Sequence, residues 1–379
     1  MNKQLTILLL FLFICTFARS QGKYIKTTTP CNNELLKKTP GRWMPIDRFT
    51  WDKISKLEEQ EILKRLETIQ KMAFAVYPEP MAFDAMQGFA LHKKDFASQL
   101  KLEKTAYRIN RTDINGFPTI SYEYFVKFCE YFCGRDSYEI IRGAGCETGT
   151  NLVATVNTLG PLFTPLLLDD VSAEIMRIDG RPVQVMPYLQ GKWQGYDFYN
   201  LQGVDNPKLV LLHRAGQLPY IPVTRKQYLD RCIEALQINL NKDIIPFEKR
   251  EGLALLMKRE EWDAQIKKQE KYRDNILKYY RDELEATTRA GLLDAPVILA
   301  SGFMNLLISE PVFSKNPVGG QMLITENPTY FKKDLPKYIP QIIICLMRYE
   351  EGWLGPEINP YKLYEQDFLI EKLQAMIDK

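Results

Sequence analysis

Histidine is almost missing from this chain of 379 residues: His92 and His213 are the only two. A three-histidine metal site is therefore excluded. A Ser-His-Asp or Cys-His arrangement would have to use one of these two. Neither lies in a G-x-S-x-G elbow. The chain also has no P-loop, no G-x-G-x-x-G after a strand and no H-E-x-x-H, so no cofactor and no metal is expected. A dominant charge is lacking too. The 50 basic and 47 acidic residues leave a net charge of +3 without any basic run, which argues against a nucleic-acid partner. Beyond the first twenty residues no stretch reaches the ~18 apolar residues of a membrane span. The longest, Val297–Ile308, is interrupted by Ser301, Gly302 and Asn305 and reads as buried core. What is there is the composition of a folded protein, 45% hydrophobic and 12% aromatic, long enough for two domains.

Residues 1–20 read as a secretory signal peptide. Lys3 supplies a positive start, Leu5–Phe17 is nearly all apolar, and Ala18-Arg19-Ser20 has small residues where a signal peptidase cuts. The expected location is secreted or periplasmic, with no transmembrane helix after signal removal. Export implies a compartment where disulfides form. Cys129, Cys133 and Cys146 are the disulfide candidates. The first two sit four apart on one strand, ~13 Å, too far to bridge each other. Cys146, after a turn, can reach either. A zinc site would want closer pairs such as C-x2-C with histidine nearby.

Residues 21–50 form an irregular leader, tacked down by Cys31 and Trp43. Ser55–Ala73 is a helix: Ser55 and Glu58 make a capping box, and Ile62, Leu63, Leu66, Ile69 and Ala73 form its buried stripe. Met81–Leu91 is ambiguous between helix and strand. Thr105–Arg111 reads as a strand, followed by a turn at Asn115-Gly116. Ile120–Phe132 alternates cleanly, with Tyr122, Tyr124, Val126 and Phe128 on one face and Glu123 and Lys127 on the other. A first domain therefore spans 51–165, with a boundary inside Thr158–Asp170, and a second spans 166–379. In the second, Asp179-Gly180 marks a hairpin. Leu209–Leu212 and Pro219–Val223 read as another, reversing at Ala215-Gly216. Thr224 and Gln227 then form a second capping box, with Tyr228, Leu229, Cys232, Ile233, Leu236 and Leu240 on the helix's apolar face. Residues 247–290 read as a long charged helix with a thin packing stripe, ending at Gly291. Gln321–Thr325 and Gln341–Arg348 are strands, and Leu363–Ile377 is a last amphipathic helix.

The fold class expected is α+β, two domains, each a helix packed on an antiparallel sheet. Cystatin-like and nuclear-transport-factor-like sheets share that architecture, by analogy only. Asp169, Asp170 and Glu174 are the acids that could serve a hydrolase of envelope polymer, which needs two carboxyls facing a cleft. Trp193, Tyr196 and Tyr199, set among glycines, are candidates for stacking on a sugar or a peptide, though core packing of a strand is the plainer account. His213, Arg214 and Arg225, with Lys226, could gather as an anion site near the reversal and the helix start. Solvated loop positions are the plainer account.

Three blocks carry a resemblance: C-x3-LLK-x2-PGRW at Cys31–Trp43, LPYIPVTRKQYL at Leu218–Leu229, and NPTYFKKDLPKYIPQIII at Asn327–Ile344. They resemble an uncharacterised group of secreted bacterial proteins. The resemblance implies export and adds no catalytic residue. Taken together, the expectation is an exported, non-catalytic binding or structural module of the cell envelope, engaging an envelope protein or a secreted ligand. The alternative is the paired-carboxylate hydrolase.

Overall fold

The computed structural model describes residues 24–50, 54–92, 119–142, 151–159, 164–166, 176–200, 208–243, 245–249, 251–300, 313–348, 360–368 and 370–379. In chain order, β1 (Tyr24–Lys26), α1 (Asn33–Lys37), β2 (Arg42–Trp43) and β3 (Asp47–Thr50) precede the long helix α2 (Lys56–Val76). Strands β4 (Phe83–His92), β5 (Ser121–Glu130), β6 (Phe132–Cys133), β7 (Glu139–Ile141) and β8 (Asn151–Val156) follow. Short strands β9 (Thr164–Pro165), β10 (Arg177–Ile178), β11 (Arg181–Pro182) and β12 (Gln184–Val185) lead to β13 (Tyr188–Trp193), β14 (Tyr196–Asn200), β15 (Lys208–His213) and β16 (Tyr220–Pro222). Then come α3 (Arg225–Asp243), α4 (Arg259–Arg289), β17 (Ile298–Leu299), β18 (Gln321–Glu326), β19 (Ile342–Arg348), α5 (Pro360–Asp367) and α6 (Ile370–Gln374).

These elements build an α+β fold of four layers. A nine-stranded sheet runs β13-β14-β15-β19-β8-β5-β4-β2, with β3 also on β4. One face packs on α2, α5 and α6: Tyr122, Tyr124, Val126 and Phe128 of β5 meet Ile62, Leu66, Ile69 and Ala73 of α2 and Tyr364, Phe368, Ile370 and Leu373 from the C-terminal helices. Each of the valine, leucine, isoleucine and phenylalanine side chains contributes roughly 1.5–3 kcal/mol on leaving water. The other face, through Leu209, Leu211, Ile342 and Ile344, packs on Met186, Tyr220 and Ile324 of a second, five-stranded sheet, β16-β18-β12-β9 with β17 on β18. The far face of that sheet, with Val185 and Leu323, is closed by α3 and α4 through Tyr228, Leu229, Cys232, Leu236, Leu277 and Tyr280. Each sheet thus has its own helical cover, as expected. The boundary expected at 165/166 does not divide the main sheet, however. Strand β8 lies before it and β19 after it, and the two pair over six residues from Val156↔Ile343 to Asn151↔Arg348.

Local signals hold. Ser55 caps α2 with Glu58 in a reciprocal box, and Thr224 and Gln227 exchange the same pair of bonds at the start of α3. Met81–Leu91 resolves as strand β4, ten residues long. Asp179 and Gly180 both take positive φ between β10 and β11, as a tight hairpin requires.

Several expectations are corrected. Leu209–Leu212 and Pro219–Val223 do not form a hairpin. Strand β15 pairs with β14 and β19, while β16 pairs with β18 in the other sheet. All four residues Leu209–Leu212 are buried, so β15 needs neighbours on both edges and cover on both faces. The turn at Gly216, whose φ is +72, carries the chain from one sheet to the other. The sheet is not wholly antiparallel either: β2 and β3 run parallel to β4. The long helix begins at Arg259, after 3-10 turns at Phe247–Lys249 and Gly252–Leu256. As its thin packing stripe implies, it lies against its own domain, along α3. The last helix is two, broken at Phe368. Gln194, from the β13–β14 turn, fills the break, donating to Phe368 O at 2.7 Å and accepting from Ile370 N at 3.1 Å. The strand expected at Thr105–Arg111 and its turn lie outside the described residues.

Candidate functional site

Asp169, Asp170 and Glu174 lie outside the described residues. The aromatic candidates are mostly absorbed by packing. Trp193 and Tyr199 are buried and Tyr196 is half-buried. Trp193 Nε1 donates to Glu365 O at 3.0 Å. The ammonium of Lys208 sits within 6 Å of the ring centroids of Trp193, Phe198 and Tyr361 and pairs with Glu365. Burial lowers the pKa of that ammonium. The rings therefore hold the chain's own cation.

His213, Arg214 and Arg225 do not converge on a shared anion site. Arg214 Nε and Nη2 donate to Asp378 at 2.6 and 2.7 Å, Nη1 reaches Tyr330 O at 2.8 Å, and the guanidinium stacks 4.8 Å from the Tyr330 ring. Its planar fork is spent on the C-terminal turn. Those bonds, with Lys332, hold Asp378 below the usual aspartate range. His213 Nδ1 lies 3.0 Å from Arg214 O. Arg225 stacks 4.7 Å from Phe313. Of the cysteines, Cys133 pairs with Cys31 rather than with Cys146. Cys129 is also disulfide-bonded. Cys146 lies outside the described residues, while Cys232 and Cys345 are buried free thiols.

The site that the structure does present lies on the main sheet, on the face away from α2. Alternation on β5 sends Glu123, Phe125 and Lys127 to that face. The register extends them into three rows. Glu123 stands opposite Thr155, Phe125 opposite Val153 and then Leu346, and Lys127 opposite Asn151 and then Arg348. Among the described residues, the core between the two sheets takes side chains from β15 and β19 and none from β5. Beside it the sheet face opens into a cavity of about 350 Å³, lined by Glu123, Phe125, Val126, Lys127, Asn151, Val153, Leu346 and Arg348.

Two details set its shape. The Phe125 ring lies across Gly88 of β4, where a Cβ would stand 2.4 Å from it. Thr155 donates to Glu123 Oε2 at 2.9 Å, fixing the carboxylate at one end. The cavity thus has an apolar floor, a carboxylate at one end, and Lys127, Asn151 and Arg348 at the other. Its volume falls at the small end of the ~300–1,000 Å³ usual for ligand pockets. Charges and floor of this kind orient an amphipathic molecule. The placing of Phe125 between Glu123 and Lys127 on one face of β5 is the one sequence signal for it.

A second polar feature lies in the seam between the sheets. Gln184 Oε1 and Glu326 Oε1 are buried without a hydrogen-bond partner. Gln184 stands opposite Ile324, two residues from Glu326 on β18, so both side chains point to the same face of the small sheet. Burial pushes the Glu326 carboxyl up to about 8.

Comparison with family models, with curated proteins and with solved structures finds no match to this chain. Among the described residues no helix is long and apolar enough to cross a membrane.

Proposed function

We propose that this chain is an exported, non-catalytic binding module of the cell envelope, and that its ligand is a small amphipathic molecule seated in the cavity over β5 and β8. The observation that carries the reading is the make-up of that cavity: Phe125, Val153 and Leu346 as floor, with Lys127 and Arg348 together at one end. Such a site gains by covering apolar surface and by placing an anionic group beside two cations. Two further points support export. The Cys31–Cys133 bridge and the bonded Cys129 suit an oxidising compartment, and residues 1–20 have the pattern of a cleaved leader. The resemblance of the three sequence blocks to secreted bacterial proteins points the same way.

The test uses octanoate as probe on the purified mature chain, with methyl-labelled Val and Leu followed by NMR. Titration is expected to shift the Val153 and Leu346 methyls together, and Lys127→Ala is expected to weaken the effect several-fold. Octanoate that leaves those methyls unmoved, or binds the variant equally well, would remove the cavity as the binding site.

A further inference from the structure

Two acceptor oxygens, Gln184 Oε1 and Glu326 Oε1, are buried in the seam between the sheets with no donor to either. We infer that a proton joins them as a latch: the Glu326 carboxyl donates it to Gln184 Oε1, and its loss opens the seam. The latch lies apart from the cavity over β5 and uses none of the residues that line it.

The register places the pair. Gln184 of β12 stands opposite Ile324 of β18, and Glu326 lies two residues further along β18 on the same face. Diagonal neighbours on adjacent strands are ~7–8 Å apart at the backbone, within reach of two long side chains. That face packs on the main sheet. Ile324 and Tyr220, which stands opposite Glu326 on β16, share a core with Leu209, Leu211 and Ile342. Gln184 is only 3% exposed. An amide oxygen so buried needs a donor. An ionised carboxylate has none to offer, whereas a protonated carboxyl has one. One proton therefore satisfies both oxygens.

The surroundings favour keeping that proton. From β16 the ionisable neighbour is Tyr220, which is hydrogen-bonded to Tyr199 of β14, with Asp197 of β14 acting on both rings. From β11, Arg181 donates to the Glu326 backbone oxygen at 3.3 Å and pairs with Asp179 at 3.3 Å, so its charge is engaged away from the carboxyl. Tyr330, in the same core, spends its hydroxyl on Gln341 O at 2.6 Å. The side chains that the main sheet brings, Leu209, Leu211, Ile342 and Ile344, are apolar. Burial pushes the Glu326 carboxyl up to about 8. The latch is thus complete at neutral pH and is lost as pH rises through that value. The carboxylate left behind must be hydrated, and the water it draws in parts Tyr220 and Ile324 from the main sheet.

The test is a double-mutant cycle in urea on the full mature chain, with Glu326→Met, Gln184→Met and both changes together. It is run at about pH 6 and about pH 10, either side of the carboxyl's titration. At the lower pH the pair is expected to favour folding about tenfold beyond what the single changes account for. At the higher pH that coupling is expected to vanish. Glu326→Gln, whose amide donates to Gln184 Oε1 at any pH, is expected to keep it at both. Should a methionine variant fail to fold, the wild type and Glu326→Gln decide the matter by NMR. The Ile324 methyls and the Tyr220 ring should shift through about pH 8 in the wild type only. Coupling absent at the lower pH, coupling that persists at the higher pH, or seam signals that do not distinguish the two proteins would overturn the latch.

Discussion

Replacing Glu326 by glutamine should stabilise this protein, and by an amount that grows with pH. Glu326 ends β18, and its Oε1 is buried in the seam between the two sheets without a partner. Burial pushes its carboxyl from the ordinary 4.5 up to about 8. The direction of the linkage follows. A carboxyl whose folded pKa is raised favours the folded state fully below the unfolded value, and that advantage is lost as pH rises toward the folded value. Between about pH 4.5 and 8 the unfolded chain releases the proton and the folded chain keeps it. Each pH unit across that window costs ~1.4 kcal/mol, which makes the ceiling ~5 kcal/mol. Relaxation of the seam and water entry on ionisation reduce this to about 2–3 kcal/mol. Glutamine fills the same space and never ionises. Urea unfolding of both proteins at pH 5, 7 and 9 should give nearly equal stabilities at pH 5. The variant should lead by ~2–3 kcal/mol at pH 9. A difference independent of pH, or a variant weaker at pH 9, would refute the reasoning.

Three other perturbations have definite outcomes. The Cys31–Cys133 bridge joins residues 102 apart. Its removal as Cys31→Ala/Cys133→Ala should cost ~3–5 kcal/mol in chemical unfolding, most of it through the loosened unfolded chain. Arg214→Ala breaks the two-pronged contact with Asp378 and the stack on Tyr330. It should cost ~2 kcal/mol and speed hydrogen exchange across residues 370–379, and the penalty should shrink as pH falls below the ordinary aspartate value of 3.8. Gly88→Ala sets a methyl 2.4 Å from the Phe125 ring. The ring must swing into the cavity, at a cost of ~1–3 kcal/mol, and octanoate binding should fall with it.

The elements specified by neighbouring residues were legible in the sequence. Both capping boxes, the Asp179-Gly180 reversal and the alternation of β5 are written within a few positions of each other, and each recurs in the structure. Pairing over distance was not. Nothing near Pro219–Val223 says that its partner is Gln321–Glu326 rather than Leu209–Leu212, because strand pairing is decided by which faces remain to be covered. The unbroken run Leu209–Leu212 did contain a hint, since a strand apolar on both faces belongs inside a sheet. The break between α5 and α6 depends on Gln194, 174 positions from Phe368, and no local pattern records it. The cavity joins β5 to β8 and β19 and was legible only as a lone Phe125 between Glu123 and Lys127.

The position of β19 bears on how the molecule is made. Among the described residues it is the latest strand along the chain, and yet it sits inside the main sheet, between β15 and β8. A nascent polypeptide still short of Ile342 has two raw edges and a gap where its midline should be. Such edges invite pairing with foreign strands, so an incompletely synthesised chain should be a substrate for holdase chaperones and proteases. The main sheet cannot close before residues 342–348 are made, and a ribosome stalled upstream of residue 342 should yield a protease-sensitive product.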